Sequence, residues 1–327
     1  MVPFFHPDFK EFAIGSLPVM WTLISGIFLG WTSGSNDSAN VFGTAVAAKI
    51  VKYRTAILLT SLFVVLGAVI EGEKCFAAVG ELSVLTPRGA FMAALAAGLT
   101  MFVVTYLAIP SSTSQAIIGA IVRVGLVSGI PGFSNLYKIV ICWGITPIGG
   151  MVLSFLLYHL LGFFIATYIR RPQMRSFIIF WSLIFAGCLG AYALGSNNVA
   201  NVTGVYVGAG LLTPFEGLLI GSLSIAVGAL TYSKGVMMTV GRDITPLDEY
   251  AALIAVLAGA ITVELFTQVG VPVSSSQAIV GGVAGIGLVK GVRTVSKRTL
   301  MKILIGWIST PLSAGIISYV LVKIFQA

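Results

Sequence analysis

Two kinds of polar cluster interrupt the apolar stretches of this chain, and each occurs twice. The first is Asn36-Asp37-Ser38-Ala39-Asn40, with Asn197-Asn198-Val199-Ala200-Asn201 as its second copy. Glycine precedes both, at Gly34 and Gly195. Gly beside Asn favours an unwound turn within a helix, which frees backbone carbonyls. Carbonyls, carboxamide oxygens and one carboxylate make a hard-oxygen set suited to a small cation. A carboxylate at the bilayer centre costs on the order of 2.5–3.5 kcal/mol, so Asp37 is expected to face a site or pathway. The plainer alternative is a packing turn in which a neighbour neutralises Asp37.

The second cluster is Ser111-Ser112-Thr113-Ser114-Gln115, with Ser274-Ser275-Ser276-Gln277 as its counterpart. Proline precedes each, at Pro110 and Pro272, and an apolar segment follows each. Proline followed by Ser/Thr signals a helix start. The first turn of a helix offers free N–H groups and the positive end of the dipole, so it suits an anion. Hydroxyls and the Gln amide add donors. Simple N-capping is the alternative, and duplication argues against it as the whole story.

The elements that must position these clusters are themselves duplicated. Residues 34–46 and 195–207 agree at eight of 13 positions, and 110–129 and 272–291 agree at 11 of 20. The interval from Gly34 to Pro110 is 76 residues, and that from Gly195 to Pro272 is 77. Trp143 to Pro147 is echoed by Trp307 to Pro311. The expected organisation is an N-terminal extracytoplasmic segment (1–12), a first repeat (13–169), a cytoplasmic linker (170–173) and a second repeat (174–327).

Each repeat reads as five apolar segments, the first interrupted at its Asn motif. An odd number inverts the second repeat in the membrane. The fold class is therefore an all-α polytopic membrane protein of two inverted-topology repeats with broken helices. Segments 88–109 and 112–129 read as a re-entrant hairpin whose uncharged tip lies at Pro110–Thr113, although two full crossings fit the same charge pattern.

Composition agrees. The chain is 57% hydrophobic and 9% charged, where a soluble domain carries about 25% charged residues. Its mean hydropathy is +1.01. With both termini outside, 13 Lys and Arg fall inside (among them Lys49, Arg171, Arg242, Arg293 and Lys297) and six outside, at Lys10, Lys74, Arg88, Arg123, Lys138 and Lys323. That bias follows the positive-inside rule, so the net charge of +8 is topological and no nucleic-acid partner is expected. Nothing at the N-terminus reads as a cleavable signal peptide, and the first helix is expected near Ala13. Three cysteines and two histidines, widely spaced, imply neither disulfides nor a resident metal. Glu264 reads equally well as a cation or proton ligand and as a paired or hydrated side chain. No acid, base or nucleophile cluster suggests an enzyme.

At GSNDSANVFGTAV, GSNNVANVTG and the two Pro-x-Ser-Ser/Thr-Ser-Gln-Ala-Ile stretches, nearly the whole chain resembles the inorganic phosphate transporter (PiT) family, Na⁺- or H⁺-coupled phosphate permeases. The resemblance implies symport of inorganic phosphate with sodium ions or protons, in the plasma membrane (the cell inner membrane). By motif it implies that Asn36, Asp37, Asn40, Asn197, Asn198 and Asn201 bind sodium. It likewise implies that Ser112, Thr113, Ser114, Gln115, Ser274, Ser275, Ser276 and Gln277 bind phosphate. No cofactor is expected beyond the coupling ion, and the partners are phosphate, sodium, the lipid bilayer and a second copy in a homodimer. Family members commonly carry Asp in both Asn motifs, whereas this chain has Asn198 in the second, which leaves ion count and coupling ion open. Sulfate permease and passive anion channel are the alternatives.

Overall fold

A segment in lipid must satisfy its backbone internally, so long apolar runs fold as helices. The computed structural model of the chain describes residues 17–80, 82, 85–129, 136–240, 247–291 and 296–326. The 1–12 segment, the helix start near Ala13, Lys10, Arg242 and Arg293 lie outside the described residues. Helices α1 (Leu17–Asp37), α2 (Ala39–Ala47), α3 (Tyr53–Glu71), α4 (Phe76–Gly80), α5 (Pro87–Tyr106), α6 (Thr113–Val127) and α7 (Leu136–Tyr168) make the first half. Helices α8 (Pro172–Gly208), α9 (Pro214–Tyr232), α10 (Lys234–Met238), α11 (Glu249–Gln268), α12 (Ser275–Lys290) and α13 (Lys297–Gln326) make the second. No strand occurs among the described residues, and seven of the helices are long and apolar enough to cross a membrane.

The halves interlock. Helix α1 packs on α9 and α3 on α8, while α6 packs on α13 and α12 on α7. Glycines set these crossings in matched pairs. A Cβ on Gly34 would lie 1.8 Å from the Ile225 carbonyl oxygen, and one on Gly195 would lie 2.0 Å from that of Val64. A Cβ on Gly119 would meet the Pro311 oxygen at 2.4 Å, and one on Gly281 the Pro147 oxygen at 2.1 Å. Each half thus completes the packing of the other around a pseudo-two-fold axis.

Helices α5 and α6 form one hairpin, with Gly89 near the start of α5 beside Val124 near the end of α6. Helices α11 and α12 form the other, with Ala255 beside Gly282. Gly80 lies against Gly208, so α8 ends where the first hairpin begins, and α9 carries the chain to the opposite end before the second hairpin. The hairpins enter from opposite ends and meet where Ser276 Oγ donates to the Ser111 carbonyl. Opposed hairpins that touch at their tips stop partway, which decides for re-entrant hairpins over two full crossings. The 15 residues of α6, at 1.5 Å per residue, are also short of a hydrocarbon core of about 30 Å.

One expectation is corrected. The Asn motifs do not unwind their helices. The first half is interrupted only at Ser38, which keeps helical dihedrals and whose N–H still reaches the Gly34 carbonyl at 3.3 Å. Helix α8 runs unbroken for 37 residues through Asn197–Asn201. Gly34 and Gly195 serve close helix contact, not chain flexibility. The second motif therefore frees no carbonyls by unwinding, and the first departs from a continuous helix only at Ser38.

Candidate functional site

The hairpin tips begin helices α6 and α12. Ser112 Oγ accepts from Gln115 N–H and Ser274 Oγ accepts from Gln277 N–H, both at 3.2 Å. These two serines are N-caps, which sets the angle at which the remaining first-turn groups project. Each tip is then gripped by the asparagine of its own half. Asn36 Nδ2 donates to Thr105 Oγ1 and the Ile109 carbonyl, both at 3.0 Å, and Asn36 Oδ1 accepts from Ser111 N–H at 3.0 Å. Asn197 repeats the pattern with Thr267 Oγ1 at 3.0 Å, the Val271 carbonyl at 3.3 Å and Val273 N–H at 2.9 Å. These carboxamides satisfy the backbone of the two non-helical tips, which lipid would otherwise leave unpaired. Thr105 and Thr267 were missed in the motif reading, although each stands five residues before its proline.

Between the tips lies one carboxylate. Asp37 Oδ2 accepts from Thr113 Oγ1 at 2.7 Å, Asn198 Nδ2 at 2.9 Å and Ser33 Oγ at 3.0 Å. Its Oδ1 accepts from Ser275 Oγ at 3.3 Å and Asn40 Nδ2 at 3.4 Å. Thr113 and Ser275 hold equivalent positions in the two hairpins, so both helix starts converge on Asp37. Asn198, the counterpart of Asp37, reaches it across the pseudo-two-fold axis. Asn40 Nδ2 also donates to Ser275 Oγ at 3.1 Å and Ser276 Oγ at 2.9 Å, while Asn201 donates to Asn198 Oδ1 at 3.4 Å. Ser114 meets Ser112 at 3.0 Å.

All 14 motif residues singled out above gather around this point, and none is more than 6% exposed. These side chains are buried within the bundle. Among the motif residues and just beyond them, several buried oxygens lack a hydrogen-bond partner: Asn40 Oδ1 with its counterpart Asn201 Oδ1, Gln115 Oε1 with Gln277 Oε1, and Ser38 Oγ and Thr44 Oγ1. Buried acceptors without donors are rare, and each has a lone pair free to meet a cation or an O–H. The two asparagine oxygens suit a small cation. The two glutamine oxygens, one turn into the dipole-positive helix starts, suit the O–H of a protonated oxyanion.

Glu264 lies elsewhere. It accepts from Gln268, which also donates to Glu71 at 2.8 Å and accepts from Lys74 at 2.7 Å, in a polar chain at the end of α3. The described residues contain no cluster of His, Cys, Asp or Glu able to hold a metal.

Comparison with known proteins gives a consistent result. Residues 33–318 match the phosphate transporter family. The "Putative phosphate permease" of Methanocaldococcus jannaschii is 31% identical over 302 residues, covering 91% of this chain and 95% of that protein. The sulfate permease CysP of Bacillus subtilis is 29% identical, covering 93% and 87%. A solved structure described as a sodium-dependent phosphate transporter superposes with a TM-score of 0.82 at 22% identity, covering 94% of this chain and 98% of that one, a likeness of fold.

Proposed function

The chain belongs to the phosphate transporter family, and on that premise we propose that it imports inorganic phosphate by symport with Na⁺ or H⁺. It is a multi-pass membrane transporter and not an enzyme. The observation that carries the proposal is the convergence of both helix starts and both Asn motifs on the buried Asp37 carboxylate.

On this reading the first-turn N–H groups of α6 and α12, with Thr113, Ser114, Ser275 and Ser276, hold the anion. Ser112 and Ser274 fix the turns that present them. Asp37, Asn40, Asn198 and Asn201 face the coupling ion, and Asn36 and Asn197 hold the tips in place. No resident cofactor enters; the coupling ion is cargo. Moving a divalent anion inward against 100 mV costs about 4.6 kcal/mol, which two entering monovalent cations would cancel. A bound cation lowers the cost of the anion beside it, and by linkage the anion strengthens the cation equally. Rocking of one helix group against the rest would open the buried site to either side in turn. On this reading the positive-inside bias puts both termini outside, and the family resemblance implies the cell inner membrane.

Sulfate is the second reading, since a sulfate permease is among the relatives. At neutral pH phosphate carries a proton that sulfate lacks, so a phosphate site needs an acceptor. The unpaired Gln115 and Gln277 oxygens supply two, which favours phosphate. The test is counterflow of labelled phosphate and of sulfate in proteoliposomes, with a Na⁺ gradient, a proton gradient or neither. Phosphate accumulation that ignores both gradients ends the symport reading. Sulfate outcompeting phosphate reverses the choice of anion.

A further inference from the structure

The two halves differ at one lipid-facing place. In the second half, α12 stays against α7 for successive turns: Gly281 meets Pro147, and a Cβ on Gly285 would lie 2.1 Å from Ser154 Oγ and 2.5 Å from the Met151 carbonyl oxygen. In the first half, α6 meets α13 at Gly119 and Pro311, but the position equivalent to Gly285 is Arg123. Its side chain takes the place of that glycine contact, and a groove of about 480 Å³ lies between α6, α7 and α13.

The groove is polar at one end and apolar along its length. Arg123, one turn before the end of α6, stacks its guanidinium 4.3 Å from the Tyr319 ring centre. Lys323, near the end of α13, places its ammonium 5.9 Å from the same ring. Two cations share one aromatic ring, and neither forms an ion pair with a carboxylate among the described residues. Both therefore remain open to an anion at this end of the groove. Deeper along the groove, Leu312 and Ile316 are 62% and 66% exposed. The order is that of a phospholipid: charge near the membrane surface, hydrocarbon below. Arg123 and Lys323 also belong to the minority of basic residues placed against the charge bias, so topology does not account for them.

We propose that this groove binds an anionic phospholipid, its phosphate between Arg123 and Lys323 and one acyl chain along Leu312 and Ile316. The experiment is native mass spectrometry of the purified transporter with phosphatidylglycerol or phosphatidylcholine, alongside thermal unfolding with each lipid. Wild type is expected to retain phosphatidylglycerol in preference to phosphatidylcholine and to be stabilised by it. Arg123→Gln and Lys323→Gln should each weaken phosphatidylglycerol retention about fivefold, the share of one cation near a membrane surface. Gly315→Leu is a second route, since a Cβ there has ordinary contacts at 3.4 Å and 3.8 Å and the side chain fills the groove without altering charge. It should release both lipids. Equal retention of the two lipids by wild type, or unchanged phosphatidylglycerol retention in the variants, overturns the proposal. So does cross-linking of two copies in membranes through Leu312→Cys, which would give the groove to a second chain.

Discussion

The Asp37 and Asn198 positions occupy matched places in the two halves, yet they are not interchangeable. Following Asp37, the first half carries Ser38 and Thr44, whose hydroxyl oxygens are buried and unpaired. The second half has Val199 and Val205 at the equivalent positions. The frame and its paired asparagine and glutamine oxygens are symmetric, while the carboxylate and these two hydroxyls belong to the first half alone. The frame is set by glycine contacts and tip-holding amides, which recur in pairs because each half needs them to pack. The charge is placed once, and Asn198 donates to it at 2.9 Å, where a second carboxylate would repel the first unless a cation lay between them.

The largest expected effect breaks that asymmetry directly. Asp37→Asn removes the charge on which five donors converge and should lower coupled phosphate uptake roughly 30- to 150-fold, corresponding to about 2–3 kcal/mol for hydrogen bonds to a charged group. Asn198→Ala loses a single donor and should lower it roughly five- to tenfold, about 1–1.5 kcal/mol. Initial-rate uptake at varied Na⁺ checks both, and equal losses would mean that the halves contribute alike.

The symmetric part of the comparison calls for equal effects instead. Gly34→Ala and Gly195→Ala each drive a Cβ into a backbone carbonyl that cannot rotate away. Each should cost about 1–3 kcal/mol of stability, read as matched falls in thermal unfolding temperature in one detergent. A large effect in one half alone would disprove the matched frame. Comparable in size and again paired, Asn36→Ala and Asn197→Ala leave a buried tip N–H at Ser111 or Val273 without its acceptor. That costs about 1–3 kcal/mol each, and protease susceptibility should rise at the tip of the affected half only.

Much of this frame was legible in the chain. The repeats share residues because both copies meet the same contacts, so identity survived where packing is tight, at Gly34 and Gly195. The tips were legible because Pro followed by Ser/Thr is a local signal. The continuity of α8 was not, because Asn and Gly were weighed by local propensity. Asn197 spends its amide on Thr267, Val271 and Val273, which are 70 or more residues away, and so does not compete with its own helix. The cap roles of Ser112 and Ser274 were available from spacing. The division of labour between Asn36, which holds a tip, and Asp37, which faces the site, depends on which side of α1 meets the hairpin.

The smallest expected effect separates the mouths of the two hairpins. The second is closed by an ion pair: Lys290 at the end of α12 donates to Asp248, which also accepts from Ala251 N–H at 2.8 Å at the start of α11. The first is capped by neutral Thr86, whose Oγ1 accepts from Gly89 N–H at 3.2 Å. Partial burial pushes the Asp248 carboxyl upward, but Lys290 and the helix-start N–H groups outweigh it and hold the group below the ordinary aspartate range. A carboxyl lowered by folding stabilises the fold fully above its unfolded value, and that contribution is lost as pH falls through the folded value. The second mouth should therefore behave alike at pH 5 and pH 7 and loosen only in stronger acid, whereas the first should not respond. Hydrogen exchange in the first turn of α11 and the last turn of α12 reads this. Because the Asp248 side chain is 60% exposed, solvent and salt screen the pair and the change is small. Lys290→Gln should reduce the acid response, leaving the part held by the Ala251 N–H, without altering the mouth of the first hairpin. A response of equal size at both mouths would place its origin in a group that both hairpins share, not in this pair.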